Sequence, residues 1–454
     1  MLRLVNNGVK LMNKSTDKDI ITALATPYGR SALAAIRISG DGCKKLVERF
    51  LSRPLKDGEL RYNNFKTAKF GENLTAIGYK APKSYTGEEM VELFPHGNMT
   101  VCDGIIEALV SGGARIAERG EFTKRAFLNG KLDLMQCEAL ADIIEAQTAE
   151  QLEYGNKRYD GGFKRLKNAE IALNRALSTV EAVLHYSDEL EENEIDERLL
   201  NDVYGVLDEV ITDLQAETDG YVGGRIINDG FKIVIIGKPN VGKSTLLNAL
   251  TDSERAIVTP IAGTTRDIID GGYVFKDKKF TVIDTAGITE TDDAVEKIGV
   301  ERAAKAVEEA DAVILVTADG TFPDIDLSIC ERVVRVKNKC DGIADVSEDY
   351  GKAQNDGFIE ISAKNGVNLT ALKCKLYDMC PKSCGGLSNH RQYACAIKCL
   401  EACRAARAES EKACGLEIVA AALYEAYSAI LELYGEKADE KVIDAVFERF
   451  CVGK

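Results

Sequence analysis

The sequence has no tryptophan, only three histidines, and no Cys-x-x-Cys pair among its 13 cysteines. Without cysteine pairs or clustered histidines, it lacks the ligand spacing of a zinc site. Cys395, Cys399 and Cys403 recur at every fourth residue of a helical stretch, where cysteine behaves as a small apolar side chain. This cysteine usage favours a reducing compartment over a disulfide framework.

Long apolar runs are also missing. No segment reaches the roughly 18 apolar residues that a membrane-spanning helix needs, and residues 1–19 lack the apolar core of a signal peptide. We therefore expect a cytoplasmic protein with no membrane partner.

The chain carries a net charge of −15 over 454 residues. Most of such a surface repels nucleic acid phosphates, so a nucleic acid partner would need a local basic patch or a second protein. The length exceeds that of one compact core and predicts several domains.

The pattern of residues changes along the chain, which predicts an α/β multidomain protein. Strand-like and helix-like runs mix in residues 1–134, with strands expected at Ile20–Ala25 and Ala34–Ile38 and a helix at Met99–Ala117. Residues 135–228 and 381–454 are helical in pattern, and residues 229–380 form a β/α segment between them. The simplest interpretation is a mainly parallel Ras-like domain inserted into a helical domain.

A phosphate-binding loop follows the first strand of that inserted segment. Phe231–Ile236 is a buried-strand pattern, Gly237–Ser244 reads G-x-x-x-x-G-K-S, and a helical pattern comes next. In this context the loop amides and the helix N-terminus bind phosphate oxygens. We expect Lys243 to reach the β- and γ-phosphates and Ser244 to hold Mg²⁺.

Three further motifs follow at predicted strand ends. The first concerns Mg²⁺ and the γ-phosphate, and the other two concern the base. Asp284-Thr-Ala-Gly287 places Asp284 near the Mg²⁺ water shell and the Gly287 amide near the γ-phosphate. Asn338-Lys339-Cys340-Asp341 offers a carboxylate that accepts both N1–H and the exocyclic amine of guanine, whereas adenine would leave this acceptor unpaired. Ser362-Ala363-Lys364 ends the last strand, and its contacts complete a site for GTP rather than ATP.

Two segments lie between these motifs, and each leads to a structural prediction. Thr264 and Thr265, in Ala-Gly-Thr-Thr-Arg-Asp, lie where a threonine can bind Mg²⁺ when the γ-phosphate is present, which predicts a nucleotide-dependent switch. Residues 319–333 are too few for a normal crossover helix, so this helix should be short or absent.

Motifs outside the inserted segment carry a resemblance to a known family. The nucleotide motifs are similar to those of the Era and Obg group of bacterial GTPases. The stretches Ala25–Arg30, Gly120–Leu134 and Phe450–Lys454 resemble the MnmE (TrmE) family of tRNA uridine-modification GTPases. The resemblance covers nearly the whole chain.

The resemblance implies a folate-binding N-terminal domain that forms a homodimer, and a K⁺-activated GTPase domain. It also implies that the flavoprotein MnmG joins it in a heterotetramer or larger complex. Together they would add an aminomethyl or carboxymethylaminomethyl group at carbon 5 of the wobble uridine of certain tRNAs. The expected cofactors are Mg²⁺, K⁺ and a 5-formyl or 5,10-methylene tetrahydrofolate.

Residue matches to the family extend the site. They assign K⁺ binding to Asn240, Thr259, Ile261 and Thr264, and the orientation of the attacking water to Glu296. They assign folate binding to Arg37, Glu92, Lys131 and Lys454. Cys451 matches a possible functional thiol. The expected catalytic residues are Glu296, Lys243 and Thr265, with Ser244 and Thr265 on Mg²⁺. The full set of expected GTP contacts is Asn240, Val241, Gly242, Lys243, Ser244, Thr245, Thr259, Thr264, Thr265, Asp284, Thr285, Ala286, Gly287, Asn338, Lys339, Asp341, Ser362, Ala363 and Lys364.

Two alternatives stay open at this point. The chain could be a GTPase switch in ribosome or metal-centre assembly, since the nucleotide motifs alone do not separate that class from a modification enzyme. It could also be an inactive scaffold, although Lys243, Ser244, Thr265, Asp284 and Asp341 all retain the residue types that GTP hydrolysis needs.

Overall fold

The computed structural model describes residues 19–186, 195–251, 271–284, 305–323, 326–381, 386–411 and 416–454. The chain is a mixed α/β protein that divides into two compact units. One contains Met1–Ile144, Asn156–Leu214 and Cys395–Lys454, and the other contains Glu145–Gly155 and Gln215–Ala394. Within the described ranges, none of the helices is both long and apolar enough to cross a membrane.

The first unit contains a six-stranded sheet. Its strands are β1 (Ile20–Leu24), β2 (Ile36–Ser39), β3 (Arg61–Lys66), β4 (Gly71–Tyr79), β5 (Met90–Phe94) and β6 (Ala114–Ile116). The order is β3-β4-β5-β2-β1-β6, antiparallel except for the β1–β6 pair. Alternate strand residues enter a core with the helices Cys43–Glu48 and Met99–Ser111. The helix Glu121–Leu128 follows β6.

Two boundaries differ from the sequence prediction. The helix that was expected to run to Ala117 ends at Ser111, because Gly112 and Gly113 follow and Gly113 takes a φ of 116° that few other residues adopt. The chain then forms β6 instead. The strand expected from Ala34 begins at Ile36 and continues to Ser39.

Long helices make up the rest of the first unit and the start of the second. The helices are Leu134–Glu145, Ala149–Tyr159, Lys164–Tyr186, Ile195–Asp219, Tyr221–Asp229, His390–Glu411, Leu416–Tyr434 and Glu440–Phe447. Lys164–Tyr186 packs against Leu416–Tyr434, and its buried stripe contains Leu173, Leu177 and Val180. This confirms the helical pattern predicted for both regions.

The second unit contains a seven-stranded sheet. Its strands are β7 (Phe231–Ile236), β8 (Gly271–Phe275), β9 (Lys278–Asp284), β10 (Ala312–Thr317), β11 (Val333–Lys337), β12 (Gln354–Asn355) and β13 (Phe358–Glu360). The order is β12-β13-β11-β10-β7-β9-β8, with the five inner strands parallel and both edge strands antiparallel. Its helices are Lys243–Thr251, Tyr350–Ala353, Leu369–Met379 and a segment at 305–309.

This topology brings four motif-bearing strand ends to one edge. The parallel strands β7, β9, β11 and β13 all point the same way, so the segments that follow them lie at one side of the sheet, where ligands bind in such folds. Between β10 and β11, residues 318–323 and 326–332 contain no helix. The expectation of a missing crossover helix is confirmed for these residues.

Candidate nucleotide and folate sites

The phosphate loop is shaped by two close approaches of its backbone. Gly242 has a φ of 95°, and a Cβ atom there would lie 2.4 Å from Asn338 Nδ2. A Cβ atom on Gly237 would lie 2.4 Å from the Val316 carbonyl oxygen. Asn240 also takes a left-handed φ, of 61°. Glycine is therefore required at both ends of the loop, since any side chain would displace it from β10 and from Asn338.

Lys243 begins the helix behind this loop and is buried. Its Nζ donates hydrogen bonds to the carbonyls of Gly237, at 3.0 Å, and Lys238, at 3.1 Å. The ammonium is thus held inside the curve of the loop, where a nucleotide's phosphates would approach. Ser244 and Thr245 follow in the first helical turn and are exposed.

Asn338 connects the phosphate loop to the base-binding strands. It is 4% exposed, its Nδ2 donates to the Val241 carbonyl at 2.9 Å, and its Oδ1 accepts from the Ala363 amide at 3.0 Å. Lys339 makes a second connection, because its Nζ donates to the Asn240 carbonyl at 2.7 Å. Three motifs far apart in the sequence are thereby joined.

The carboxylate expected to read guanine is oriented by its neighbours. Asp341 is exposed, and its Oδ1 accepts from Ser362 Oγ at 2.5 Å and from Asn365 Nδ2 at 3.3 Å. The side-chain oxygen of Ser362 also accepts from the Asn365 amide at 3.3 Å. Lys364, between them in sequence, is exposed.

Several expected site residues lie outside the described residues. These are Thr259, Ile261, Thr264 and Thr265 of the first switch segment, and Thr285, Ala286, Gly287 and Glu296 after β9. The backbone of Asp284 is described and ends β9, opposite Ile235 in the register with β7. The assigned roles of these residues stay predictions.

The folate residues expected on the first sheet lie together. Arg37 and Glu92 are direct partners in the β2–β5 register, and Arg37 Nε donates to Glu92 Oε1 at 3.0 Å. The other carboxylate oxygen accepts from Tyr79 Oη at 3.2 Å. Arg37 also stacks over the Tyr85 ring, 5.4 Å from its centroid. Burial, and then the Glu92 charge, raise the pKa of Tyr79, so its hydroxyl stays protonated and donates.

The end of the chain reaches the same place. Arg37 Nη1 donates to the Gly453 carbonyl at 3.4 Å, and the Phe122 amide donates to the Lys454 carbonyl at 3.2 Å. Cys451 is exposed. Lys131 donates from Nζ to the Pro82 carbonyl at 3.2 Å, in the loop that leads to Tyr85.

Four contributors to these sites were not predicted. Asn365 holds Asp341, Tyr79 holds Glu92, Tyr85 stacks on Arg37, and Gly453 binds Arg37 through its carbonyl. The position of Asn365 right after Ser-Ala-Lys was a usable signal. The other three depend on strand register and on the fold of the chain end, which no short motif shows.

Two family models and several curated relatives match the chain. The family model "GTP-binding protein TrmE N-terminus" matches residues 20–131, and the model "MnmE helical domain" matches residues 134–451. The tRNA modification GTPase MnmE of Aquifex aeolicus is 37% identical over 454 residues, covering 96% of this chain and all of that relative. Those of Pseudothermotoga lettingae and Lactococcus lactis are 36% and 34% identical, covering 96% and 98% of this chain and all of each relative.

The matching segments include both sheets and the helices, and the second ends two residues before Gly453. Since relatives above 30% identity align with 96–98% of it, the chain belongs to the MnmE (TrmE) family of tRNA modification GTPases.

Proposed function

We propose that this GTPase is activated by K⁺ and acts with a flavoprotein of the MnmG type. Together they would add an aminomethyl or carboxymethylaminomethyl group at carbon 5 of the wobble uridine of certain tRNAs. The observation that carries the proposed chemistry is the meeting of Arg37, Glu92 and the C-terminal Gly453 on the first sheet. These groups fit a folate that would supply the one-carbon unit.

GTP hydrolysis uses charge neutralisation and positioning, since phosphoryl transfer needs little covalent help from the protein. The Lys243 ammonium lies inside the loop that would bind the phosphates, and Ser244, where Mg²⁺ is expected, is the second residue of the helix that follows. Mg²⁺ would neutralise charge on the β- and γ-phosphate oxygens, with Thr265 as a second expected ligand. Asn338 keeps the loop and the base-binding segment in one fixed arrangement.

Guanine selection follows from the geometry of Asp341. Ser362 and Asn365 both bind its Oδ1, which leaves the two lone pairs of Oδ2 to accept from guanine N1–H and the exocyclic amine. An asparagine at position 341 would present an N–H donor on one side. Xanthine has a carbonyl where guanine has its exocyclic amine, so the asparagine N–H would donate to that carbonyl.

Asp341→Asn should therefore shift the ratio of kcat/KM for GTP over XTP towards XTP by at least about tenfold. The ratio is measured by steady-state hydrolysis of both nucleotides. Asp345→Asn is the control, because Asp345 is an exposed neighbour whose Oδ1 accepts from the Ser347 amide. An unchanged GTP:XTP ratio in Asp341→Asn would refute the base-recognition assignment.

The K⁺ proposal rests on Asn240. Its left-handed backbone and the hydrogen bond from Lys339 to its carbonyl hold it at the exposed tip of the phosphate loop. An amide oxygen there, with backbone carbonyls of the first switch segment, is a suitable ligand set for an alkali cation. A cation beside the phosphates would stabilise transition-state charge as an arginine finger does elsewhere.

GTP turnover should accordingly be faster in K⁺ than in Na⁺ at equal ionic strength, and Asn240→Lys should remove this difference. An ammonium in place of the amide would repel the cation, so the variant should hydrolyse GTP at one rate in both salts. Lys238→Ala, at the exposed neighbouring position that contacts Thr321, should keep the K⁺ preference. Equal wild-type rates in K⁺ and Na⁺ would exclude the K⁺ site.

Folate binding is supported by the charges around Arg37. Tyr79 and Arg37 each occupy one Glu92 oxygen and fix the plane of the carboxylate, while lone pairs remain for donors of a pterin ring. Lys131 and Lys454 supply cations suited to the glutamate part of a folate. A 5-formyl or 5,10-methylene derivative is the proposed one-carbon source.

Arg37→Ala should weaken binding of 5-formyltetrahydrofolate by about tenfold or more, the typical effect of losing a charge-assisted hydrogen bond. Calorimetry on the full-length protein gives the dissociation constant. Arg61→Ala is the matched control on the same sheet, because Arg61 donates to the Glu59 carboxylate and the Pro54 carbonyl, away from Glu92. Equal affinity in the Arg37 and Arg61 variants would place the folate elsewhere.

The proposed partners follow from the family and from charge. We propose a homodimer that assembles with MnmG in the cytoplasm, where tRNA and GTP are found. Because the chain carries a net charge of −15, tRNA would be bound largely by that partner.

A further inference from the structure

A tight turn on the nucleotide-binding sheet binds the start of a helix that lies about 128 residues earlier in the sequence. Lys276 and Asp277 join β8 to β9, and both have a left-handed φ, of 47° and 62°. Paired left-handed residues form the compact hairpin turn that matches strand twist. The Asp277 carboxylate projects from this turn and accepts from the Ala149 amide at 2.9 Å and the Glu150 amide at 3.0 Å.

These two amides are the first donors of the helix Ala149–Tyr159, which have no partner within the helix itself. Thr148, directly before the helix, caps only Gln151, with 3.1 Å between its Oγ1 and that amide. Asp277 therefore completes the cap from another part of the chain, and its negative charge is favourable at a helix N-terminus.

An ion pair next to the turn adds to this contact. Lys278 Nζ lies 2.9 and 3.1 Å from the two carboxylate oxygens of Glu150. Burial alone would lower the pKa of Lys278, but the Glu150 carboxylate outweighs burial and raises it, so the lysine is charged. The hairpin thus contacts the first helical turn through two residues.

The strand that carries this contact also ends in the nucleotide site. β9 runs from Lys278 to Asp284, and Asp284 is the residue expected at the Mg²⁺ water shell. β9 lies between β7 and β8, and its Phe280 ring stacks on the Tyr273 ring of β8, with the ring centroids 5.0 Å apart. A strand of seven residues spans about 23 Å, and β9 thus connects the turn at Asp277 to the expected Mg²⁺ site.

The far end of the bound helix is anchored as well. Arg158 is 3% exposed, and its Nη1 lies 2.5 Å from Asp142 Oδ2. The Tyr159 carbonyl accepts from Gln136 Nε2 at 3.1 Å. The last turn of the helix is therefore held by side chains of the helix Leu134–Glu145.

We infer that Asp277 is a positioning residue that couples the nucleotide state at Asp284 to the helix Ala149–Tyr159. This inference rests on the proposed function, because it assigns the coupling to GTP-dependent tRNA modification. Asp277 contacts neither the phosphate loop nor the guanine-binding residues described above. Removing it should uncouple hydrolysis from modification rather than stop hydrolysis.

The first measurement is hydrogen exchange of the full-length protein with GDP and with a non-hydrolysable GTP analogue. In the wild type, exchange of the Ala149 and Glu150 amides should differ between the two nucleotides. In Asp277→Ala these amides should exchange fast and equally in both states. If the wild-type amides exchange alike in both nucleotides, the coupling does not exist.

The second measurement compares GTP turnover with the content of carbon-5-modified uridine in tRNA. Asp277→Ala should keep turnover within about twofold of wild type and lower modification at least about tenfold, whereas Asp277→Asn, which retains one acceptor oxygen, should lie between. Asp349→Ala is the control, because Asp349 caps a helix of the same unit locally, through the Lys352 amide. It should leave both quantities unchanged.

The outcomes separate this inference from the proposed function. If wild-type protein itself produces no modified uridine, the proposed function fails. If the wild-type protein does produce modified uridine, two results would refute the coupling role of Asp277. In the first, Asp277→Ala modifies tRNA normally. In the second, Asp277→Ala loses turnover and modification in equal proportion.

Discussion

The nucleotide site depends on one buried amide, that of Asn338. Its side chain donates to the phosphate loop at Val241 and accepts from the segment after β13 at Ala363, so both halves of the pocket are fixed to the end of β11. A buried amide that lost either partner would carry an unsatisfied polar group, at a cost of about 1–3 kcal/mol. The same contact explains why residue 242 is glycine, since any Cβ there would collide with this amide. The two segments expected to bind the phosphates and the base are thereby fixed relative to each other, which reduces the ordering that binding must still impose.

The proposed folate site depends on a different contact, the one between Arg37 and Gly453. Val452 pairs with Arg119, and Gly453 takes a φ of 94° at a point where a Cβ atom would lie 2.4 Å from the Leu24 carbonyl. This close approach brings the Gly453 carbonyl to Arg37. The site therefore joins β2 and β5 to a residue 416 positions after Arg37 in the sequence.

Much of the nucleotide site could be predicted from sequence, because its motifs specify local backbone. The spacing of Gly237, Gly242 and Lys243 predicts the loop, and Asn338-Lys339-Cys340-Asp341 predicts the guanine contact, since each motif occupies one strand end. The parallel order of the strands then brings these ends together. The missing helix after β10 followed in the same way from the length of the connection.

Contacts that depend on tertiary structure could not be predicted. Tyr79 reaches Glu92 through the register of β4 and β5, and Asp277 reaches Ala149 only because the hairpin lies beside that helix. The helix after Met99 was predicted too long, because apolar spacing continued past the two glycines that end it. The family resemblance supplied Arg37 and Glu92 as site residues, but not their direct pairing. The roles of Thr264, Thr265 and Glu296 remain predictions.

The most direct test of the account measures tRNA nucleosides by mass spectrometry. The host is a bacterium that lacks its own gene of this family. It receives the proposed MnmG-type partner together with either the wild-type chain or the Lys243→Ala variant, at equal protein level. The account predicts that carbon-5-modified wobble uridines return with the wild type and stay absent with Lys243→Ala, because the buried ammonium at the phosphate loop is needed for hydrolysis. Equal restoration by both proteins, or by neither, would contradict the claim that GTP hydrolysis at this site drives tRNA modification.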